Sequence, residues 1–218
     1  MNNIDDRYVI LLTGATGGIG QITANYLSNK GYIVYGTSRR EQNDTDLPYQ
    51  MLKLDVTDEG SVSECVTSLL QKEGKIDCLI NGAGFGYCGA LSKTTVDQMK
   101  EQFETNFFGI HRMIRAVLPH MLGRQQAKII NIGSFGGRLG LPFQGLYSSS
   151  KAALAMYSDT LRMELKRKGI VVSLIEPGDI ATDFHAGRKY VENYDKDTVA
   201  IRAIEIMHKS EQNGTDPL

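Results

Sequence analysis

The sequence predicts a single-domain α/β fold, a doubly wound parallel sheet with helices on both faces. Short runs of β-branched and other apolar residues alternate with longer helical patterns, as in a succession of right-handed strand–helix–strand units. The strands are apolar throughout and do not alternate, as expected where both faces of a sheet are covered. The 218 residues contain no Pro/Ser-rich linker and no charge run to divide them. One domain over 1–218 therefore suffices, with room for a sizeable core.

Tyr8 to Leu12 reads as the first strand, and Ile19 to Lys30 as a helix stopped by Gly31. Ile33 to Thr37 and Gln50 to Leu54 supply the second and third strands, Ser61 to Lys72 a helix, and Ile76 to Ile80 the fourth strand. One long helical stretch is expected from about Val96 to Leu122, with Pro119 bending or ending it. Lys128 to Ile132 is the fifth strand, Ser148 to Lys168 a long helix stopped by Gly169, and Val171 to Ile175 the sixth strand. From about residue 181 the chain turns polar. Only Thr198 to Lys209 has a helical pattern there, and nothing after Ile175 reads as a strand.

Composition excludes several classes. Apolar residues make up 41% and charged residues 22%, ordinary globular values. A net charge of −1 gives no electrostatic footprint for nucleic acid or an anionic membrane. No apolar run reaches the ~18 residues of a membrane-spanning helix. The start, Met1-Asn2-Asn3-Ile4-Asp5-Asp6, is acidic and unlike a signal peptide. Cys65, Cys78 and Cys88 form no CxxC pair and read as reduced thiols, so a cytoplasmic location is expected. His111, His120, His185 and His208 show no metal-ligand spacing, and no metal is expected. His185 is a minor candidate for substrate contact, and Cys88 reads as a small buried filler. The Met and aromatic side chains of Met99 to Met121 are expected to pack the core or a helix-mediated contact between subunits.

The first strand runs into Thr13-Gly14-Ala15-Thr16-Gly17-Gly18-Ile19-Gly20, and a helix follows. Glycines in this context permit a tight turn and let backbone N–H groups and a helix N-terminus approach a pyrophosphate. The Thr-Gly-xxx-Gly-x-Gly spacing resembles that of the short-chain dehydrogenase/reductase family, which implies a Rossmann-type fold and a nicotinamide dinucleotide. Gly14, Thr16, Gly18, Ile19 and Gly20 are then cofactor contacts. The second strand ends Thr37-Ser38-Arg39-Arg40, without the acid that accepts from the ribose of NAD. A guanidinium suits a phosphate, so NADP(H) is favoured through Arg39, with NAD(H) the alternative. The uncharged glycine loop counts against NADP(H). Asp55, after the third strand, corresponds to the family's adenine contact; otherwise it caps a helix, a role open also to Asp58. Asn81, in Asn81-Gly82-Ala83-Gly84, lies where the family bounds the adenine ribose, or else holds strand ends together.

Tyr147-Ser148-Ser149-Ser150-Lys151 is a Tyr-x-x-x-Lys motif opening a helix, and residues four apart share one face. A tyrosine titrates near ~10 in water, and a fixed ammonium nearby favours its phenolate. Ser134 follows the fifth strand, where ligand crevices of such sheets lie. The resemblance implies that Ser134 bonds the substrate oxygen, that Tyr147 is the acid/base, and that Lys151 binds the nicotinamide ribose. It implies too that Asn106 kinks its helix and supports a proton relay. Pro177, Gly178, Ile180 and Thr182 match the turn that meets the nicotinamide. In the chain as a whole the motifs resemble the family over residues 8 to about 184, with some likeness to its hydroxysteroid dehydrogenase-like branch.

The implied activity is hydride transfer between nicotinamide and a ketone or secondary alcohol, on a small-molecule substrate, in a homodimer or homotetramer. Residues from about 181 to 218 are either an ordinary loop or a mobile lobe covering substrate. Family members commonly run longer and close with a further helix and a seventh strand, which this chain is expected to lack. A non-catalytic NADP(H) sensor of the same fold and a sugar-nucleotide epimerase of its extended branch are the rival readings.

Overall fold

The computed structural model describes residues 7–40, 46–124, 126–196 and 198–216, and the side chains of Asp183, His185 and Asp195 lie outside that description. β1 (Val9–Thr13) is followed by α1 (Gly18–Asn29), β2 (Ile33–Ser38), β3 (Gln50–Lys53), α2 (Glu59–Glu73) and β4 (Cys78–Asn81). β5 (Tyr87–Cys88) precedes α3 (Val96–Phe103) and α4 (Gly109–Met121). β6 (Lys128–Ile132), α5 (Gly145–Leu165), β7 (Val171–Ile175), β8 (Lys189–Tyr190) and α6 (Thr198–Gln212) complete the order. The sequence-predicted strands and helices all form, with ends displaced by a few residues.

Local chemistry fixes several of these ends. Asp58 caps α2 by accepting from Ser61 N at 2.7 Å. A reciprocal pair, Gln98 N to Thr95 Oγ1 and Thr95 N to Gln98 Oε1, opens α3. Gly74 and Gly169 adopt left-handed φ values of 68° and 74° where α2 and the turn after α5 stop.

All six strands of the main sheet are parallel, in the order β3-β2-β1-β4-β6-β7. The chain reverses its direction of winding between β1 and β4, which opens a crevice beyond the carboxyl ends of those strands. One face packs apolar side chains of α2, α4 and α5 against Val9, Leu11, Leu79 and Ile129, all fully buried. On the other, Ala24 of α1 and Tyr49 pack with Ile10, Leu12 and Ile80. Among the described residues β3 and β7 are the sheet edges, and on β7 Val171 and Ile175 are about half exposed.

Two expectations are corrected. The single helix over 96–122 is three pieces, because Glu104–Phe108 forms a π-turn between α3 and α4. The fully buried Asn106 sits in this turn and spends its amide on a neighbouring loop: it accepts from Phe85 N at 3.1 Å and donates to Phe85 O at 2.9 Å. Such turns shift the register of a helix face. Here α3 and the turn aim Gln102 and Asn106 at the loop, while α4 aims Ile110, Met113 and Val117 at the core. The second correction is a strand after Ile175. β8 pairs in parallel with β5, and two residues are too few to show a period.

A polar ladder crosses the apolar sheet. Asn81 Nδ2 donates to Asn131 Oδ1 at 2.9 Å, and Asn131 Nδ2 donates to Ser158 Oγ of α5 at 2.9 Å. Asn131→Ala leaves buried polar groups unpaired, and the unfolding free energy should fall by roughly 1–3 kcal/mol. Denaturant unfolding checks this; an unchanged midpoint would contradict it.

Candidate active site

Two adjoining hollows of 450 and 480 Å³ lie across the carboxyl ends of the strands and share Gly14, Thr16, Gly84 and Gly187, so they form one continuous trough. Gly14 floors both. Its φ is +80°, and an added Cβ would fall 2.8 Å from Ala83 N. A Cβ on Gly20 would collide with the Gly14 carbonyl. Only glycine lets this loop lie so close to the strand ends. α1 begins in the trough at Gly18, with no side-chain cap and no acid in its first turn. Its N–H groups and dipole thus suit an anion.

Arg39 and Asp55 line the first hollow with Thr37 and Ser38. Asp55 Oδ1 accepts from the Thr57 backbone at 2.9 Å and its hydroxyl at 2.7 Å. Burial pushes the Asp55 carboxyl up, but those bonds and the Arg39 and Arg112 charges outweigh it and hold it below its usual value. Since Asp58 caps α2, the alternative role for Asp55 falls away. Arg40 is exposed and does not line the trough.

The second hollow gathers Gly18, Ile19, Gly20, Ser134, Tyr147 and Lys151, with Pro177, Gly178, Ile180 and Thr182 on the opposite side. Tyr147 and Lys151 stand one turn apart on α5. The Lys151 ammonium is 5.8 Å from the Tyr147 ring centroid and donates to Ile132 O, at the end of β6, at 2.6 Å. Ser134 begins the turn after that strand, its Oγ accepting from Gly136 N at 3.1 Å. Burial lowers the Lys151 ammonium to about 8.

The phenol behaves differently from the expectation. Burial pushes Tyr147 above its usual value; hydrogen bonding to Ser134 and the charge of Arg188 pull it down, and Glu211 pushes it up. Lys151 is not among the groups that move it. Enclosure costs both charged forms their solvation, so the ammonium is weakened and the phenol is not made acidic by the chain's own groups.

Asn106 and Asn81 line neither hollow. Asn106 stands behind the Phe85–Tyr87 segment, where its Nδ2 also donates to Ser150 Oγ at 3.2 Å. Asn81 lies inside the sheet, bonded to Asn131 as the structural reading of it expects, with its own Oδ1 buried and without a partner. Cys88 is buried, and burial pushes its thiol up to about 11.

Residues 8–192 match the family model of short chain dehydrogenases. The chain belongs to the short-chain dehydrogenase family. It is 43% identical to a 3-ketodihydrosphingosine reductase of Bacteroides thetaiotaomicron over 96% of this chain and 79% of that protein. A short-chain dehydrogenase from Streptomyces avermitilis superposes with a TM-score of 0.87 at 32% identity, covering 98% of this chain and 80% of that one. The closed form of serine dehydrogenase complexed with NADP+ superposes with a TM-score of 0.79 at 29% identity, over 96% and 84% of the two chains. The chain spans less than two thirds of the length of several other curated relatives. No helix among the described residues is long and apolar enough to cross a membrane.

This short-chain dehydrogenase also carries site residues that the sequence reading missed. Gln102 is fully buried; it accepts from Tyr87 N at 2.8 Å and donates to Phe85 O at 2.7 Å. Its place four residues before Asn106 was the available signal. Together the two amides pin the loop in which Gly86 lies against the Tyr147 ring. Arg188 and Glu211 form a buried pair on the trough wall, and Phe184 brings its ring to 5.9 Å from that of Tyr147. No local motif announces these three. Thr215 bridges back to Ile180, and Ser210 donates to Asp179 at 2.5 Å, so the last turn of α6 and the residues after it brace the turn after β7. His185 was the candidate contact here, and its side chain lies outside the described residues.

The lowered Lys151 pKa makes a stability prediction. The unfolded lysine holds its proton to its ordinary value of 10.5 while the folded one releases it near 8. The unfolded state therefore binds more protons in that window, and stability should rise with pH through it. Burial raises Cys65, Cys78 and Cys88 from 9.0, and that opposes the effect above pH 9. Between pH 8 and 9 the wild type should gain about 1 kcal/mol over Lys151→Met in denaturant unfolding. Parallel pH profiles for the two proteins would contradict this.

Proposed function

We propose that this chain is an NADP(H)-preferring oxidoreductase that reduces a ketone, or oxidises the matching secondary alcohol, with Tyr147 as its acid/base. The observation that carries the reading is the convergence of Ser134, Tyr147 and Lys151 on one end of a trough whose other end holds Arg39 and Asp55. The trough fits a dinucleotide. Gly14 and Gly20 leave a cradle that a Cβ would fill, and the uncapped N-terminus of α1 faces it. Gly14, Thr16, Gly18, Ile19 and Gly20 would hold the pyrophosphate, Asp55 the adenine, and Arg39 the ribose phosphate. Asn81 would act through the sheet, by holding the strand ends that carry the adenine side. Pro177, Gly178, Ile180, Thr182 and Lys151 would hold the nicotinamide end. A bound nicotinamide supplies hydride to the carbonyl carbon, or takes it up in the reverse direction.

The remaining work falls to side chains. Ser134 donates to the carbonyl oxygen and polarises it. The Tyr147 phenol, protonated at neutral pH as an ordinary phenol is and held more tightly to its proton by burial, gives that proton to the carbonyl oxygen as the alcohol forms. Lys151 orients the ribose, and the hydrogen bond with Ser134 stabilises the phenolate left behind. Asn106 holds the Phe85 segment against Tyr147 and supports return of the proton. Residues 181–218 form the lobe over the substrate. Likeness to a 3-ketodihydrosphingosine reductase supports a long-chain ketone as substrate. A homodimer or homotetramer in the cytoplasm completes the reading.

Tyr147→Phe should lower kcat about 10²–10⁴-fold with NADPH affinity retained, followed by nicotinamide absorbance with long-chain ketones. Unchanged turnover, or NADPH binding with no turnover in the wild type, would sink the reading. Arg39→Ala should weaken NADPH binding about tenfold or more while sparing NADH. Equal losses for both dinucleotides would rule out Arg39 as the phosphate contact.

A further inference from the structure

Two charged groups on the wall beside Tyr147 move its phenol in opposite directions and have been given no contact with substrate. Arg188 stands just before β8, and Glu211 lies in the last turn of α6. Both line the hollow that contains Ser134, Tyr147 and Lys151. The Arg188 side chain is 2% exposed and the Glu211 side chain 16%. Arg188 Nη2 donates to Glu211 Oε1 at 2.5 Å, and Nη1 to Oε2 at 3.3 Å.

Burying such a pair costs desolvation that its mutual attraction does not reliably recover, and apolar side chains of similar volume often serve a fold as well. Its position on a ligand wall gives it a chemical use. An ionised carboxylate has about four lone-pair sites. Arg188 bonds to each of its oxygens and fixes the carboxylate plane, while Glu211 itself lines the hollow and is not fully enclosed. An anionic substrate group would have to displace Glu211 from a guanidinium that is almost wholly enclosed. A donor cation needs no displacement, because it adds to the open side of the carboxylate. The other charges of this hollow are engaged elsewhere: Lys151 with Ile132 O, and Asp179 with Ser210. Leu141, Ile180 and Phe184 supply apolar wall around them.

We propose that Glu211, held in place by Arg188, accepts a hydrogen bond from a protonated amine carried beside the substrate's carbonyl, so that the site selects amino ketones over plain ketones. This assignment rests on the carbonyl-reductase reading above and names the substrate class of that same site. Glu211 is then a specificity residue, and Arg188 positions it.

The test compares kcat/KM of the full-length chain with NADPH for 3-ketodihydrosphingosine and for the 3-ketone of equal chain length without the amine. The wild type should favour the amino ketone by about tenfold or more, the scale of one charge-assisted hydrogen bond. Glu211→Gln should bring that ratio toward one. Because this variant leaves Arg188 buried beside a neutral partner, the double variant Arg188→Met/Glu211→Leu removes both charges, and its ratio should also approach one. A melting curve for each protein reports folding. A wild-type ratio near one overturns the assignment. So does a ratio that survives in both variants while their melting temperatures fall, since the pair is then a structural pin. Reduction of neither ketone by the wild type sinks the carbonyl-reductase reading, and this assignment with it, whereas equal reduction of both sinks only the role of Glu211.

Discussion

A lysine ammonium does not sit comfortably in a protein interior, and the contact that makes Lys151 tolerable there organises the site around it. Its bond to the Ile132 carbonyl ties α5 to the end of β6 at 2.6 Å. Ser134 lies two residues beyond that carbonyl, and Tyr147 one helical turn before Lys151. One hydrogen bond thus sets the spacing of three side chains from two elements. The penalty for enclosure remains visible in the ammonium, which burial lowers to about 8. In the phenol the same enclosure acts in the opposite direction on the proton.

A second layer keeps Tyr147 facing the trough. The amides of Gln102 and Asn106 act on the Phe85–Tyr87 backbone much as a neighbouring strand would, and β8 pairs with the continuation of that segment. The π-turn brings both amides to the same loop without surrendering the apolar face of α4. On the other side, the turn after β7 is braced by the last turn of α6 through Ser210 and by the chain that follows it through Thr215. Elements distant in sequence thus meet over the carboxyl ends of the strands, where the switch in strand order leaves room.

The sheet was legible because its strands are apolar throughout and its helices end at glycines such as Gly31 and Gly169, whose positive φ values need no long-range information. The glycine loop and Tyr147 to Lys151 were legible for a related reason: each is a local pattern whose geometry follows from one turn or one helix face. The distortion at Asn106 was legible from the family resemblance, which implied a kink there; its form as a π-turn was not, because helical periodicity records only neighbours within a few residues and Asn106 bonds to the distant Phe85. β5 and β8 were too short to show a period. Arg188 and Glu211 were invisible for a stronger reason. Their pairing depends on how the lobe folds back over the sheet, and nothing within either segment records its partner. The sign of the Tyr147 shift was misjudged because the sequence shows the neighbouring charge and does not show the depth of burial that overrides it.

A structure of this chain with NADPH bound tests the account most directly. The account predicts the dinucleotide stretched along the single trough, its ribose phosphate against Arg39 and its nicotinamide between Tyr147 and the turn at Pro177 to Thr182. A dinucleotide lying elsewhere, or a nicotinamide out of reach of the Tyr147 hydroxyl, would contradict it.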